Sequence, residues 1–153
     1  MADIKQEYSS SSTPTFTLAS LANGSGRACT AVDNSTNKHI GADIHLQSKL
    51  ASSSVSATGR LDVYLVRSPD GTRYDDNFGG TDAALTPSAS LYLGSIPANT
   101  NSQVIDWSIS LSELGIELPK KFAICVVNNS GAALDSTGGN HVLTVFTKYK
   151  TAV

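Results

Sequence analysis

Histidines and carboxylates are the side chains of this sequence that are best suited to acid–base or metal chemistry. His39, Asp43 and His45 lie close together in the segment HIGADIHLQ. A strand rises about 3.3 Å per residue, so His39 and His45 would lie about 20 Å apart and could not share one metal ion, whose ligands lie about 2 Å away. His141 has no spacing that relates it to them. We therefore interpret the segment as a solvent-facing or partner-facing strand, with a catalytic or metal role as the alternative.

The segment RYDDNFGGTD is the second candidate for a site. Hard oxygen ligands of the kind that bind calcium occur in it at Asp75, Asp76, Asn77 and Asp82. They lack the spacing of an EF-hand loop, and the Gly-Gly and Asn residues are equally typical of an ordinary loop. A calcium site is therefore the alternative, and a loop without an ion is the prediction.

Five aromatic side chains suggest that the protein binds a sugar or another protein. Aromatic rings beside Asn and Asp stack on sugar rings or anchor protein interfaces. The aromatic residues concerned are Tyr64, Tyr74, Phe78, Tyr92 and Tyr149. A small sandwich cannot bury all of these rings, although core burial is the alternative for any one of them. The candidate ligand loop consists of Tyr74, Asp75, Asp76 and Phe78.

Motifs of known enzyme classes are absent from the sequence. It contains no GxSxG turn for a nucleophile, no Walker phosphate loop and no HExxH zinc motif. No serine lies beside a plausible base. We therefore predict that the protein is not an enzyme and has no catalytic residues, no cofactor and no bound metal.

The composition of the 153 residues sets further limits. The net charge is −2 and there is no stripe rich in Lys and Arg, so the sequence does not predict binding to nucleic acid. No apolar run approaches the roughly 18 residues of a membrane helix, and MADIKQEYSSSS lacks the apolar core of a signal peptide. We expect synthesis in the cytoplasm and no membrane partner. Cys29 and Cys125 are then expected to be buried thiols, with a disulfide as the alternative.

Alternating apolar residues predict short strands with one buried face. In HIGADIHLQ, GRLDVYLV and VIDWSISL, the residues expected inside are Ile40, Ala42, Ile44, Leu46, Leu61, Val63, Leu65, Ile105, Trp107, Ile109 and Leu111. Asp62 and Tyr64 are expected outside. KFAICVV and HVLTVFTKY are apolar on both faces, which is typical of central strands covered on both sides. About eight strands and almost no helix predict an all-β fold, an antiparallel, jelly-roll-like β-sandwich over residues 15–153.

Residues 1–14 differ in composition from the rest of the chain. They contain SSSSTP, and their only large apolar residues are Ile4 and Tyr8. Because such a segment cannot bury enough surface to fold alone, we predict an extended N-terminal arm. A flexible tail is one interpretation. The other is an arm that orders against a partner, with Ile4 and Tyr8 as the residues that bind it.

Several stretches together resemble small β-sandwich structural proteins of tailed bacteriophages. They are LASLANGSGRACTAVDNSTN, GGTDAALTP, PKKFAICVVNNSGAALDS and NHVLTVFTKY, and the resemblance runs from about Thr15 to Tyr149. Head decoration (cement) proteins belong to such families, so the resemblance implies a protein without enzymatic activity that binds the major capsid protein on the outer surface of the capsid. It also implies a homo-oligomer, most often a trimer.

The expectation is therefore a virion protein that stabilises the capsid shell. The alternative is a carbohydrate-binding or receptor-binding β-sandwich module of the phage tail. For that alternative, the loop around Tyr74 would supply the binding site.

Overall fold

The computed structural model of the protein describes residues 3–152 and confirms the all-β prediction. Its strands are β1 (Ile4–Tyr8), β2 (Gly26–Ala28), β3 (Val32–Asp33), β4 (Gly41–Lys49), β5 (Arg60–Ser68), β6 (Ala83–Ala84), β7 (Leu91–Pro97), β8 (Val104–Ser110), β9 (Lys121–Asn129) and β10 (Val142–Ala152). The helical structure within residues 3–152 is two short 3₁₀ turns, Asp75–Asn77 and Gly138–Asn140. Over the same residues, no helix is long and apolar enough to cross a bilayer.

The strands form two antiparallel sheets. Sheet A has four strands in the order β1-β10-β4-β8. Sheet B has six strands, with the order β6-β2-β9-β5-β7 and with β3 paired to the opposite end of β9. The ten strands include β1, which lies in the segment predicted as an arm, and β3 and β6, whose two residues each are too few for an alternating pattern. The arrangement is that of a β-sandwich, and the jelly-roll connectivity stays a prediction.

One hydrophobic core contains residues of both sheets. The predicted inner faces of β4 and β5 are confirmed, because their alternate apolar residues are fully buried: Ala42, Ile44, Leu46, Leu61, Val63 and Leu65. Ile40 was expected inside and is 45% exposed, since it precedes the first residue of β4 and does not share the alternation of that strand. In the edge strand β8, Ile105 is buried but Trp107 and Ile109 are only half-buried.

The central strand of sheet B is covered on both faces, as its apolar sequence predicts. Residues Phe122 to Val126 of β9 are all buried. The segment 69–90 contributes to this cover, because the carbonyl oxygen of Leu85 lies 4.0 Å from the sulfur of Cys125 and Phe78 is buried in the core. In sheet A, β10 follows the prediction only in part, since its residues alternate between buried and half-buried as far as Phe146.

The two cysteines are unbridged and fully buried, as expected. Cys29 follows β2 directly and its sulfur accepts a hydrogen bond of 3.2 Å from the amide of Ile124. Burial raises the pKa of both Cys29 and Cys125 to about 12. Both thiols therefore stay protonated in the neutral range and behave as small apolar side chains.

Candidate partner-binding site

The N-terminal segment lies along the last strand of its own chain. The residues of β1 pair with the end of β10, from Ile4 opposite Ala152 to Tyr8 opposite Lys148. The pairing continues beyond β1, because the amide of Ser12 donates to the carbonyl of Val145 at 2.9 Å and the amide of Val145 donates to the carbonyl of Ser12 at 2.8 Å. The segment predicted as an arm is thus the first strand of sheet A. Met1 and Ala2, which also belong to the predicted segment 1–14, lie outside the described residues.

Exposure distinguishes β1 from the other long strands. All five of its residues are exposed, and the two predicted anchors, Ile4 and Tyr8, are 71% and 57% exposed. Side-chain contacts to β10 are polar, since the carboxylate of Glu7 accepts hydrogen bonds from the hydroxyls of Tyr149 at 3.0 Å and Thr151 at 3.2 Å. Within residues 3–152, the outer edge of β1 has no partner strand. This edge therefore has unpaired main-chain groups and two uncovered apolar side chains.

A polar cluster attaches the end of β1 to sheet A. The Tyr8 hydroxyl donates to Oδ2 of Asp43 at 2.8 Å, and Nζ of Lys148 lies 2.6 Å from Oδ1 of the same carboxylate. The Lys148 ammonium also donates to Oγ of Ser110 at 3.1 Å and lies 5.1 Å from the centre of the Tyr8 ring. We call these four residues the Tyr8 cluster. They join all four strands of sheet A.

In the Tyr8 cluster, burial and ion pairing have opposite effects on the pKa values of Asp43 and Lys148. Lys148 is only 6% exposed, and burial by itself raises the pKa of Asp43 and lowers that of Lys148. The ion pair and the hydrogen bonds from Tyr8 and Ser110 outweigh burial. As a result, the pKa of Asp43 is lowered, the pKa of Lys148 is raised, and both groups are charged at neutral pH.

The register of the strands explains why these residues meet. Directly opposed residues in an antiparallel pair share one face of the sheet. Tyr8 is opposite Lys148, Lys148 is opposite Gly41, and Asp43, two residues after Gly41, is opposite Ser110. All of these side chains therefore project from the outer face of sheet A. Lys148 lies within the apolar run HVLTVFTKY, and a lysine in such a run is the sequence signal that could have predicted a buried ion pair.

The three histidines have three different environments. The ring of His39 stacks on Tyr149 with ring centres 5.6 Å apart. His45 pairs with Asp106, and both side chains are exposed. His141 is buried, with Nδ1 lying 2.9 Å from the hydroxyl of Ser48 and Nε2 lying 2.9 Å from a backbone carbonyl. The structure does not bring the histidines together into one site.

The candidate ligand loop directs its acidic groups inward. The carboxylate of Asp75 accepts a 2.9 Å hydrogen bond from Nε of Arg67. Asp76 accepts hydrogen bonds from backbone and hydroxyl groups of residues 88–90. Phe78 belongs to the core, and the half-buried ring of Tyr74 packs edge-on against it at 5.4 Å between ring centres. All four residues of the proposed loop therefore hold the segment 69–90 in place.

The carboxylate of Asp82 in this segment also has partners within the protein. Oδ1 of Asp82 lies 2.6 Å from Nε of Arg27, and Oδ2 contacts Thr17. Among residues 3–152, no three His, Cys, Asp or Glu side chains are grouped so that they could hold a metal ion.

A second polar surface, which sequence reasoning missed, lies on sheet B. Asp62 was expected outside but is only 6% exposed, because it accepts hydrogen bonds from Arg60, Ser95 and Asn129. These partners come from three adjacent strands, so only the pairing of β5 with β7 and β9 brings them together. Beside them are two tyrosine rings with centres 5.3 Å apart, Tyr64 and Tyr92. Tyr92 is 51% exposed.

No protein-family model matches the chain, and no curated protein is significantly similar to it.

Proposed function

We propose that the chain is a structural virion protein of a tailed bacteriophage, a decoration (cement) protein that binds the major capsid protein on the outer surface of the capsid. The observation that supports this most directly is the exposed edge strand β1, with Ile4 and Tyr8 uncovered. A free edge adds to a partner's sheet through main-chain hydrogen bonds, and exposed apolar side chains strengthen such a contact. The resemblance of the sequence to phage structural proteins points to the same partner.

A cement protein requires a rigid domain with a binding edge and no catalytic chemistry. The Tyr8 cluster supplies the rigidity, because it holds the end of β1 in a fixed register on sheet A. The proposal includes a homotrimer. Three linked copies bind a symmetric shell more tightly than one copy because each bound edge raises the effective concentration of the next.

Co-sedimentation with capsids tests the proposal. Purified protein is mixed with phage heads that lack it, and the heads are pelleted. We expect saturable binding at a fixed ratio to capsid subunits. The variant Ile4→Asp places a charge on the exposed edge of β1 and should weaken binding at least tenfold, since a buried charge at an interface costs several kcal/mol.

The matched control for this experiment is Val104→Asp. Val104 is 59% exposed and lies in β8, the strand at the opposite edge of sheet A. It should leave head binding unchanged. If the wild-type protein stays in the supernatant while the heads pellet, the cement role is refuted. If both variants lose head binding equally, the assignment of the capsid contact to β1 is refuted.

The second candidate function is a carbohydrate-binding or receptor-binding module of a phage tail. The observation that favours it is the pair Tyr64 and Tyr92 beside Asp62 and Asn129 on sheet B, since an exposed ring next to amide and carboxylate groups stacks on sugars. For this candidate function, the surface takes the place of the candidate ligand loop as the sugar-binding site, because the four residues of that loop contact other parts of the protein. A glycan array with and without calcium tests it. Binding that is lost in Tyr92→Ala would support the tail module, and a silent array would reject it.

A further inference from the structure

A groove of about 750 Å³ opens beside β1, at one end of sheet A. Its walls are formed by the end of β10, by the turn before β4 and by the segment that connects β8 with β9. The residues that matter for its chemistry are Gln6, Lys38, Ile40, Ile116, Lys120 and Lys150. We call this feature the basic groove.

The charge of the basic groove is opposite to that of the whole protein. Three ammonium groups line it, those of Lys38, Lys120 and Lys150, and among the described residues of its lining Glu117 is the one that carries a carboxylate. All three lysines are exposed, and none of them forms a salt bridge with another residue of the described chain. The protein as a whole carries −2. A local excess of positive charge on an acidic protein attracts an anionic ligand to this place rather than to the surface in general.

Apolar side chains also line the groove. Ile40 is 45% exposed although it precedes a buried strand, and Ile116 and Leu118, in the segment between β8 and β9, are half-buried. The ligand that fits these walls has carboxylates for the lysines and apolar groups for the isoleucines. A polypeptide with both acidic and apolar side chains meets that requirement, whereas a polysaccharide offers carboxylates without aliphatic groups.

The groove extends as far as β1, the strand with the free edge. Gln6 of β1 lines the groove and is directly opposite Lys150 in the ladder between β1 and β10. An extended segment that pairs with the outer edge of β1 would run beside the groove, and alternate side chains of an extended segment point to the same face. Main-chain pairing and side-chain recognition would therefore be available to one ligand.

We propose that the basic groove binds an extended acidic segment of the partner protein, with its carboxylates at Lys38, Lys120 and Lys150 and its apolar side chains against Ile40 and Ile116. The identification of that partner as the capsid protein rests on the proposed function. The chemistry of the ligand, an acidic peptide, rests on the groove alone.

Binding of poly-L-glutamate to the full-length protein tests the groove directly. The double variant Lys120→Gln/Lys150→Gln should weaken binding about tenfold, because it removes two of the three ammonium groups that line the groove. The control is Arg60→Gln/Arg73→Gln, which removes the same charge from two exposed residues outside both the groove lining and β1. It should change the affinity less than twofold. Circular dichroism and the urea midpoint establish that both variants are folded.

Three results would overturn the proposal. The first is no binding of poly-L-glutamate at low salt, and the second is an equal loss of affinity in the groove variant and its control. The third is equally tight binding of polygalacturonate, an acidic polysaccharide, since the groove would then recognise charge and not a peptide.

Co-sedimentation with heads distinguishes this inference from the cement role. If wild-type protein binds heads and Lys120→Gln/Lys150→Gln binds them about tenfold more weakly, the groove contacts the shell. If the variant binds as well as wild type, the inference fails and the cement role stands. If wild-type protein does not bind heads, the cement role fails. The result with poly-L-glutamate alone then decides whether the groove binds an acidic peptide.

Discussion

Nζ of Lys148 lies 2.6 Å from Oδ1 of Asp43, on the outer face of sheet A. Lys148 is almost fully buried although it lies on this outer face, because the ring of Tyr8 covers its ammonium group. Lys148 belongs to β10 and Asp43 to β4, while the tyrosine comes from the N-terminal strand. A single ion pair thus links the stability of the sheet to the position of the strand that we propose to bind the capsid.

The ion pair should contribute measurably to the free energy of unfolding. Asp43→Asn leaves the buried ammonium of Lys148 without an anionic partner, and we expect a loss of about 2 to 4 kcal/mol, since breaking a buried pair costs about 3 to 5. Urea denaturation measures it. Asp106→Asn is the control on the same face, where the pair with His45 is exposed and the expected loss is below about 1 kcal/mol. Equal losses in the two variants would contradict the prediction.

Asp76 should make stability depend on acid pH. Burial acts to raise its pKa, but hydrogen bonds from Ser88, Ala89 and Ser90 outweigh burial, and the pKa lies well below the ordinary value of 3.8. A carboxylate with a lowered pKa stabilises the fold above its unfolded pKa, and this contribution is lost as the pH falls toward the folded pKa. We therefore expect Asp76→Asn to be less stable than wild type at pH 6, with a difference that shrinks below about pH 4.

The measurement for Asp76 is a series of urea denaturations between about pH 6 and pH 2.5. Glu113→Gln serves as the comparison, because Glu113 is exposed in the turn after β8. The stability difference of that variant should stay small throughout. A difference for Asp76→Asn that is the same at every pH would show that its hydrogen bonds, and not its charge, stabilise the loop.

The two thiols should be inert until the protein unfolds. Cys29 and Cys125 are fully buried, and their pKa values of about 12 leave almost no thiolate at pH 8. Under non-reducing conditions, mass spectrometry after iodoacetamide treatment should find no label on the folded protein and two labels in denaturant. The absence of any label in denaturant would indicate a bridge, and rapid labelling of the native protein would indicate local opening.

Gly26 should not tolerate a side chain. A Cβ at this position would collide with the carbonyl oxygen of Leu85, a backbone atom of the segment 69–90 that cannot rotate away. Gly26→Ala should therefore cost about 2 to 4 kcal/mol or displace that segment from sheet B. Gly138→Ala is the matched change, because no atom lies within 4 Å of the added carbon there. Thermal unfolding compares the two, and similar midpoints would refute the packing argument.

Much of the fold could be predicted from local sequence patterns. The alternation in β4 and β5 identifies Ala42, Ile44, Leu61 and Val63 as core residues because a buried face requires apolar side chains at every second position. The doubly apolar sequence of β9 likewise predicts its central place. The rule fails for Ile40, since a residue just before a strand does not follow the alternation of that strand.

The sequence could predict which residues belong to the candidate site, but not which residues they contact. Composition singles out Ile4 and Tyr8 as the large apolar residues of the first segment. That Tyr8 contacts Asp43 and Lys148 depends on the register between strands distant in sequence, and no hairpin turn joins β1, β4 and β10 to define that register locally. The same limit applies to Asp62, which was expected in solvent and is held by side chains from two neighbouring strands.

The pairing of β1 with β10 places the two ends of the described chain side by side, with Ile4 directly opposite Ala152. Neighbouring strands are about 5 Å apart, so a linker of a few residues would join these ends without disturbing sheet A. The chain is therefore suited to circular permutation, with new ends opened at an exposed position such as Gly138. For the same reason, labels attached at positions 4 and 152 would lie together at one corner of sheet A, so that a loss of their proximity would report the separation of β1 from β10.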